Sequence, residues 1–375
     1  MPEPFKHKLS QDLVRNMADC FEHPGFDKQG FIERACSDLD ELELKARSEH
    51  IVLAMHEYLP DDFSLASEVL LASLRPMKAP DTVSKDDAHT TMLADWSIMP
   101  MADYVGIYGQ AHFDLAIDVL FEMTKRFSSE FAIRHFLVQQ QERTLKALAL
   151  RLNDESEHVR RLISEGTRPR LPWGMQLRAF VKNPSPLLPL LEALKDDSSE
   201  YVRRSVANNL NDIAKDHPEL VVQIGEKWLQ DANENRTRLV RHALRTLFKK
   251  GEPEALALFG FHPPKLGDVH LRLPKTHVSF GGELYFSVQI RSESMNSEPQ
   301  KIMLDYVVYH QKSNGQLSPK VFKWKVVDLK ANETLELSKT HSFKAVTTRK
   351  YYCGEHKLAL LVNGQETPAH SFSLV

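Results

Sequence analysis

From residue 1 to about 260, apolar positions recur every three or four residues, the spacing that places side chains on one face of an α-helix. Leu42, Leu44, Ile51, Leu53 and Leu59 make one such run. Leu65, Val69, Leu70 and Leu74 make another, and Leu115, Val119, Leu120 and Met123 a third. Breaks fall at His23-Pro-Gly25, Leu59-Pro-Asp-Asp62 and Arg75-Pro-Met-Lys-Ala-Pro80. The polar stretch Lys85–Thr91 reads as a loop, and a helix is predicted over about 110–126. A helix pair is predicted over 130–163 with its turn near Asn153-Asp154. Ser128 and Ser129 read as N-caps and Glu130 as a first-turn acid. From about residue 265 the period becomes two. Seven β-rich runs follow: Val269–Leu273, Leu284–Arg291, Ile302–His310, Val321–Leu329, Thr334–Leu337, His356–Val362 and His370–Leu374. Gly281-Gly282, Ser313-Asn-Gly315 and Asn363-Gly364 supply turns between them.

The helical part also repeats. Asp154-Glu-Ser-Glu-His-Val-Arg-Arg161 returns 43 residues later as Asp197-Ser-Ser-Glu-Tyr-Val-Arg-Arg204, and a weaker copy ends in Leu239-Val-Arg-His242. A helical period near 40 predicts a HEAT-like α-solenoid. The chain therefore reads as a mainly α protein with two domains. A solenoid spans 1–262, and an immunoglobulin-like β-sandwich spans 266–375. The short linker Phe261-His-Pro-Pro-Lys265 reads as stiff. Between the first two copies, residues 164–186 interrupt the repeat with Gly166, Pro169, Pro172, Gly174, Pro184 and Pro186.

Charge changes the picture more than composition does. Of the 375 residues, 42% are hydrophobic and the formal net charge is −3. Residues 1–130 carry 12 Lys and Arg against 24 Asp and Glu, a balance of −12. Residues 131–250 carry 21 against 15, or +6, and residues 266–375 carry 14 against 10, or +4. The basic charge thus sits in the repeats and the tail, where a polyanion can use it. The acidic first third reads as a polar cap on the solenoid. The opening Met1-Pro-Glu-Pro-Phe-Lys-His-Lys lacks the apolar core of a signal peptide, and no apolar run reaches the length of a membrane span. Three scattered cysteines, Cys20, Cys36 and Cys353, suit a reducing cytosol and form no zinc pattern. The 17 histidines show no metal-ligand spacing, and no phosphate-binding glycine loop or nucleophile elbow is present. Neither cofactor nor metal is expected.

Stacked repeats align like residues, so Arg160, Arg161, Arg203, Arg204 and Arg241 are expected in a row. About half should form stabilising pairs within or between repeats. The others, with Arg168, Arg170, Arg178, Lys182 and Arg245, are candidates to meet a phosphate backbone. The interruption, Ile163-Ser-Glu-Gly-Thr-Arg-Pro-Arg-Leu-Pro-Trp-Gly174, sets Glu165, Arg168, Arg170 and Trp173 on a stiffened turn. In one reading Trp173 plugs the core and Glu165 pairs with an arginine. In the other, an acid and an indole sit at the edge of a cationic groove. Glu130 and Asp212 are the further acidic candidates. Asp212 falls near the end of a helix beginning around Tyr201, where a negative charge is unfavourable.

Glu130-Phe-Ala-Ile-Arg134, Ser164-Glu-Gly-Thr-Arg-Pro-Arg-Leu-Pro-Trp173 and Arg203-Arg-Ser-Val-Ala-Asn-Asn-Leu-Asn-Asp212 resemble the AlkC branch of HEAT-like-repeat DNA glycosylases. The opening Phe5-Lys-His-Lys-Leu-Ser10 fits it too, and the resemblance covers essentially the whole chain. It implies hydrolysis of the N-glycosidic bond of cationic methylated bases such as 3-methylcytosine and 1-methyladenine in double-stranded DNA, without base flipping. By motif, Glu130, Glu165 and Asp212 would form the acidic cluster and Trp173 would pack against the lesion nucleotide. A monofunctional, monomeric enzyme of the bacterial cytosol and nucleoid follows. Lys146 and Lys182 lack a context that suggests a lyase nucleophile. The competing expectation is a non-catalytic HEAT scaffold that binds nucleic acid or protein.

Overall fold

The computed structural model describes residues 5–77, 92–296, 298–346 and 349–375. The predicted loop Lys85–Thr91, and the predicted break Arg75–Pro80 beyond Met77, lie outside the described residues. The fold is mainly α, HEAT-like, with a β-sandwich at the C-terminal end. Among the described residues there are sixteen α-helices and nine strands, and no helix is long and apolar enough to cross a membrane. The chain forms two compact units. One holds residues 1–217 with 231–243, the other 218–230 with 244–375.

In the first unit, the two strong repeat copies become the helices Glu157–Gly166 and Glu200–Ile213, and the weak copy becomes Glu234–Ala243. Asp154 and Asp197 each accept the amide of the serine two residues on, Ser156 and Ser199, at 2.9 and 2.8 Å. Arg160 then donates back to the carbonyls of Asp154 and Glu155, and Arg203 to those of Asp197 and Ser198. The first arginine of each figure therefore fastens its own inter-helix loop. Polar bonds also tie neighbouring repeats. Asn209 Nδ2 donates to the Ser164 carbonyl and Asn211 Nδ2 to the Ala243 carbonyl, both at 2.8 Å. Buried Val159, Leu162, Val202, Val206, Leu210, Leu239 and Val240 supply the apolar contact.

The helices before Glu157 differ from the predicted pair. A helix at Ile133–Gln139 breaks at Gln140, whose backbone (φ −134°, ψ 52°) leaves the helical region, and resumes at Gln141–Ala149. Ser128 and Ser129 do not cap it. Their hydroxyls donate instead to Glu130 and to the Leu120 carbonyl, so Glu130 lies in the turn ahead of the helix. The interruption also starts later than residue 164, because Glu165 still lies on the last turn of Glu157–Gly166. Gly166 is the last residue of this helix and packs against the start of the earlier helix Ile133–Gln139: a Cβ there would lie 2.6 Å from Ile133 Cγ2.

In the second unit the strands are β1 (Leu266–Arg272), β2 (His277–Val278), β3 (Glu283–Ser292), β4 (Gln300–Gln311), β5 (Leu317–Leu329), β6 (Thr334–Ser342), β7 (Gly354–Val362), β8 (Gln365–Glu366) and β9 (His370–Leu374). One sheet has the order β1-β3-β6; the other has β2-β9-β7-β4-β5, with β8 on β7. Pairing is antiparallel except β2 with β9. Inward residues of both sheets, among them Phe286, Val288, Ile290, Leu304, Tyr306, Val308, Leu358 and Leu360, share one core. The terminal helices belong to this unit. Gly251, at φ 72°, approaches Gly364 so closely that a Cβ would meet its carbonyl at 2.5 Å, and Asn363 donates to the His262 carbonyl at 2.7 Å.

Candidate active site

A cavity of about 530 Å³ opens in the first unit. Glu130, Arg161, Glu165 and Arg168 line one part of it, and Trp96, Phe127, Phe131, Trp173 and Tyr201 supply an aromatic wall. The charged residues form a continuous chain in which acid and base alternate. Arg161 Nη1 donates to Glu130 Oε2 at 2.7 Å, and its Nη2 lies 3.5 Å from Glu165 Oε1. Arg168 Nη1 donates to the same Glu165 oxygen at 2.7 Å, while its Nε donates to Asp212 Oδ2 at 2.8 Å. Lys215 closes the chain on Asp212 Oδ1 at 2.8 Å. The three acids predicted from sequence therefore share one network. Asp212 is not among the residues lining the cavity; it holds Arg168, which is.

Each acid needs this company for a local reason. Glu165 sits in the last turn of one helix and Asp212 in the last turn of another, where the helix dipole disfavours a carboxylate. Both are buried, at 5% and 1% exposure, and a buried charge without partners is costly. Glu165 gains a third partner in Ser205, whose hydroxyl donates to Oε2 at 2.6 Å and itself accepts from Ser164 at 2.7 Å. Burial works against the cationic form of Arg161, but Glu130 and Glu165 outweigh it and hold the guanidinium above its usual range. Arg168 behaves likewise: burial opposes the charge, and Asp212 and Glu165 restore it.

Trp173 does not plug the core. It is 63% exposed, with φ at +62°, a region that bulky residues seldom occupy and that costs about 1–3 kcal/mol. The loop that carries it is fastened from behind by Arg134, which is 0% exposed. Arg134 donates to the carbonyls of Met175 (2.8 and 2.5 Å), Gly166 (2.8 Å) and Arg168 (2.8 Å). Burial, and then the neighbouring Arg168, lowers its pKa to about 10.

The predicted phosphate ligands divide. Arg160 forks onto Asp197 of the next repeat (2.7 and 3.0 Å), and Arg170 onto Asp216 (2.9 and 2.8 Å). Arg203 serves its own loop. Arg178, Lys182 and Arg204 are exposed, and Arg241 and Arg245 are half-buried. Arg203 and Arg204 line a second groove with Arg238, Asn235 and His242.

Sequence reasoning missed several residues that line or support the cavity. Arg134, behind it, was visible as a cation inside the apolar run Phe131–Val138. Ser205, Tyr201 and His158 offered no signal. Asp95 and Trp96 lie far back in the chain, on a turn where Asp95 also has positive φ.

Comparisons with known proteins place the whole chain. Residues 268–375 match the family described as the C-terminal Ig-like domain of uncharacterised protein YhaZ. The Bacillus subtilis (strain 168) protein YhaZ, itself described as uncharacterized, is 36% identical over 376 residues, covering 100% of this chain and 99% of its own. Pseudomonas fluorescens alkylpurine DNA glycosylase AlkC, solved bound to DNA containing an abasic site analogue, is 33% identical. It superposes with a TM-score of 0.88 over 100% of both chains. Identity at this level over full length, together with the shared fold, shows that the chain belongs to the AlkC family of HEAT-like-repeat DNA glycosylases with a C-terminal immunoglobulin-like domain.

Proposed function

We propose that the protein is a monofunctional, monomeric DNA glycosylase that removes cationic alkylated bases from duplex DNA by hydrolysis. Full-length similarity to an enzyme named for this activity supports the class of reaction. The observation that carries the site is the cavity in which Glu130 and Glu165 face an exposed, strained indole. Among cationic bases, 1-methyladenine falls within the alkylpurines of the relative's name. 3-Methylcytosine extends the proposal to a pyrimidine of the same charge.

A base that already carries positive charge leaves without strong acid catalysis, and its departure makes the deoxyribose oxocarbenium-like. Carboxylates fixed beside the sugar stabilise that charge. Fixed is the operative condition: Arg161, Arg168 and Ser205 allow Glu165 one orientation. Both described bonds of Glu130 fall on Oε2, which leaves Oε1 to accept from an attacking water. Asp212 acts from behind, as the anchor of Arg168. The face of Trp173 adds cation–π attraction of about 0.5–2 kcal/mol. The exposed cations Arg178, Lys182 and Arg204 are assigned to phosphates, and the exposed Lys320, Lys323 and Lys325 of β5 to a second contact with DNA, as a clamp.

The reading is tested by incubating the protein with duplexes that carry a single 1-methyladenine or 3-methylcytosine and scoring alkali-labile abasic sites. The expected result is stoichiometric base release and no borohydride-trapped adduct. Binding without release from either duplex would leave the protein a HEAT scaffold.

A further inference from the structure

The amino-terminal turn packs against the aromatic wall of the cavity. Phe5 opens a single 3-10 turn, Phe5–Lys8. Its ring stacks on Trp96 (centroids 5.6 Å apart, planes at 27°) and meets Trp173 edge-on (5.8 Å, 68°). Trp96 in turn leans on Phe127 at 5.2 Å. Short segments of this kind are ordinarily loose unless tied down, and residues 6–9 are tied. Lys6 Nζ donates to Glu43 at 2.7 Å. Leu9 is buried, and its carbonyl accepts at 3.0 Å from the buried guanidinium of Arg47.

Arg134 fastens the loop, but the side chain of Trp173 has little else to hold it: the indole is mostly in solvent and the backbone is in a disfavoured region. Among the described residues, Phe5 is the one aromatic ring it touches. Phe5 is itself 54% exposed, so core packing does not explain its place. We propose that Phe5 is a positioning residue for Trp173, and that the tethered amino-terminal turn holds the indole at the cavity shared by Glu130 and Glu165. The catalytic consequence rests on the glycosylase reading above; the positioning itself does not.

Two measurements on the full chain decide it. In 5-fluorotryptophan-labelled protein, with the Trp173 signal assigned by Trp173→Phe, Phe5→Ala is expected to shift and broaden that ¹⁹F resonance, while Phe5→Tyr leaves it near its wild-type position. An unmoved Trp173 resonance in Phe5→Ala overturns the proposal, whether or not the protein excises bases. The second is a double-mutant cycle on single-turnover excision. An aromatic contact of this kind corresponds to about 3- to 10-fold in rate, so Phe5→Ala should slow excision by that factor with DNA affinity within about twofold. In a Trp173→Ala background it should cost nothing further. An equal loss in both backgrounds means Phe5 acts on its own account, and the proposal falls. Absence of excision by the wild-type protein tells against the glycosylase reading, and the ¹⁹F result still decides the role of Phe5.

Discussion

Arg134 offers the sharpest test of how the site is built. Its guanidinium is fully buried, and no carboxylate among the described residues forms an ion pair with it; its charge is met by the carbonyls of Gly166, Arg168 and Met175. Arg134→Met keeps the bulk and removes every donor. Met175 is exposed, so its carbonyl can turn to water, but those of Gly166 and Arg168 are left buried and unpaired. Each such orphan costs about 1–3 kcal/mol. Relief from burying a charge offsets part of this, and a net local cost of about 2–4 kcal/mol remains. The assay is native-state hydrogen exchange in the loop that Arg134 fastens, at the amides of Gly174 and Leu177, which bond to the carbonyls of Leu171 and Pro169. A cost of this size accelerates their exchange by about 30- to 1000-fold. Excision should fall with it, since Trp173 rides on the same loop. Unchanged exchange at Gly174 and Leu177 would refute the argument that this side chain holds the loop.

Four further outcomes are expected. Glu165→Gln should slow single-turnover excision by about 10- to 100-fold with DNA affinity nearly unchanged; the full effect of a lone preorganised charge is larger, but Arg161 and Arg168 already neutralise part of this one. Equal rates would remove Glu165 from the chemistry. Asp212→Asn should slow excision less, because Asp212 works through Arg168; a loss exceeding that of Glu165→Gln contradicts this order. In the sandwich, burial first and then Arg349 push His310 and His341 down to about 3 and 4, so both are neutral when folded. The unfolded chain takes up protons below about pH 6.5 while the fold does not. Sandwich stability should therefore be full above that pH and fall by about 1–2 kcal/mol per histidine at pH 5; a melting temperature constant from pH 7 to 5 would show otherwise. Finally, reversing Lys320, Lys323 and Lys325 to glutamate should weaken DNA binding and flatten its dependence on salt, and an unchanged slope would place DNA elsewhere.

Local patterns were legible where local forces decide. All seven predicted strands form, β9 with its predicted bounds, because alternation and turn residues act over a few positions. The two additional strands, β2 and β8, have two residues each and exist only through their neighbours. The helices of the repeats were legible as amphipathic runs. The break at Gln140 was not, since no proline or glycine marks it. Gly166 misled in the other direction: it reads as a breaker, yet it lies in the last helical turn, and it is glycine because the methyl of Ile133 leaves no room for a side chain. The acids and Trp173 could be named from their residue types and motif. Their pairing could not, because Arg161 reaches back 31 residues to Glu130, and Arg168 forward 44 residues to Asp212. Of the two readings of the interruption, the packing one holds for Glu165, which pairs with arginines, and fails for Trp173, which stands in solvent.

In the proposed reaction, paired carboxylates favour a sugar that has become positive. That preference is measured by comparing affinity for two lesion-free duplexes, one with a cationic pyrrolidine in place of a deoxyribose and one with a neutral tetrahydrofuran. The wild-type protein should bind the cationic duplex at least about 10-fold more tightly, and Glu165→Gln should erase most of that preference. Equal affinity of the wild-type protein for the two duplexes would contradict the account.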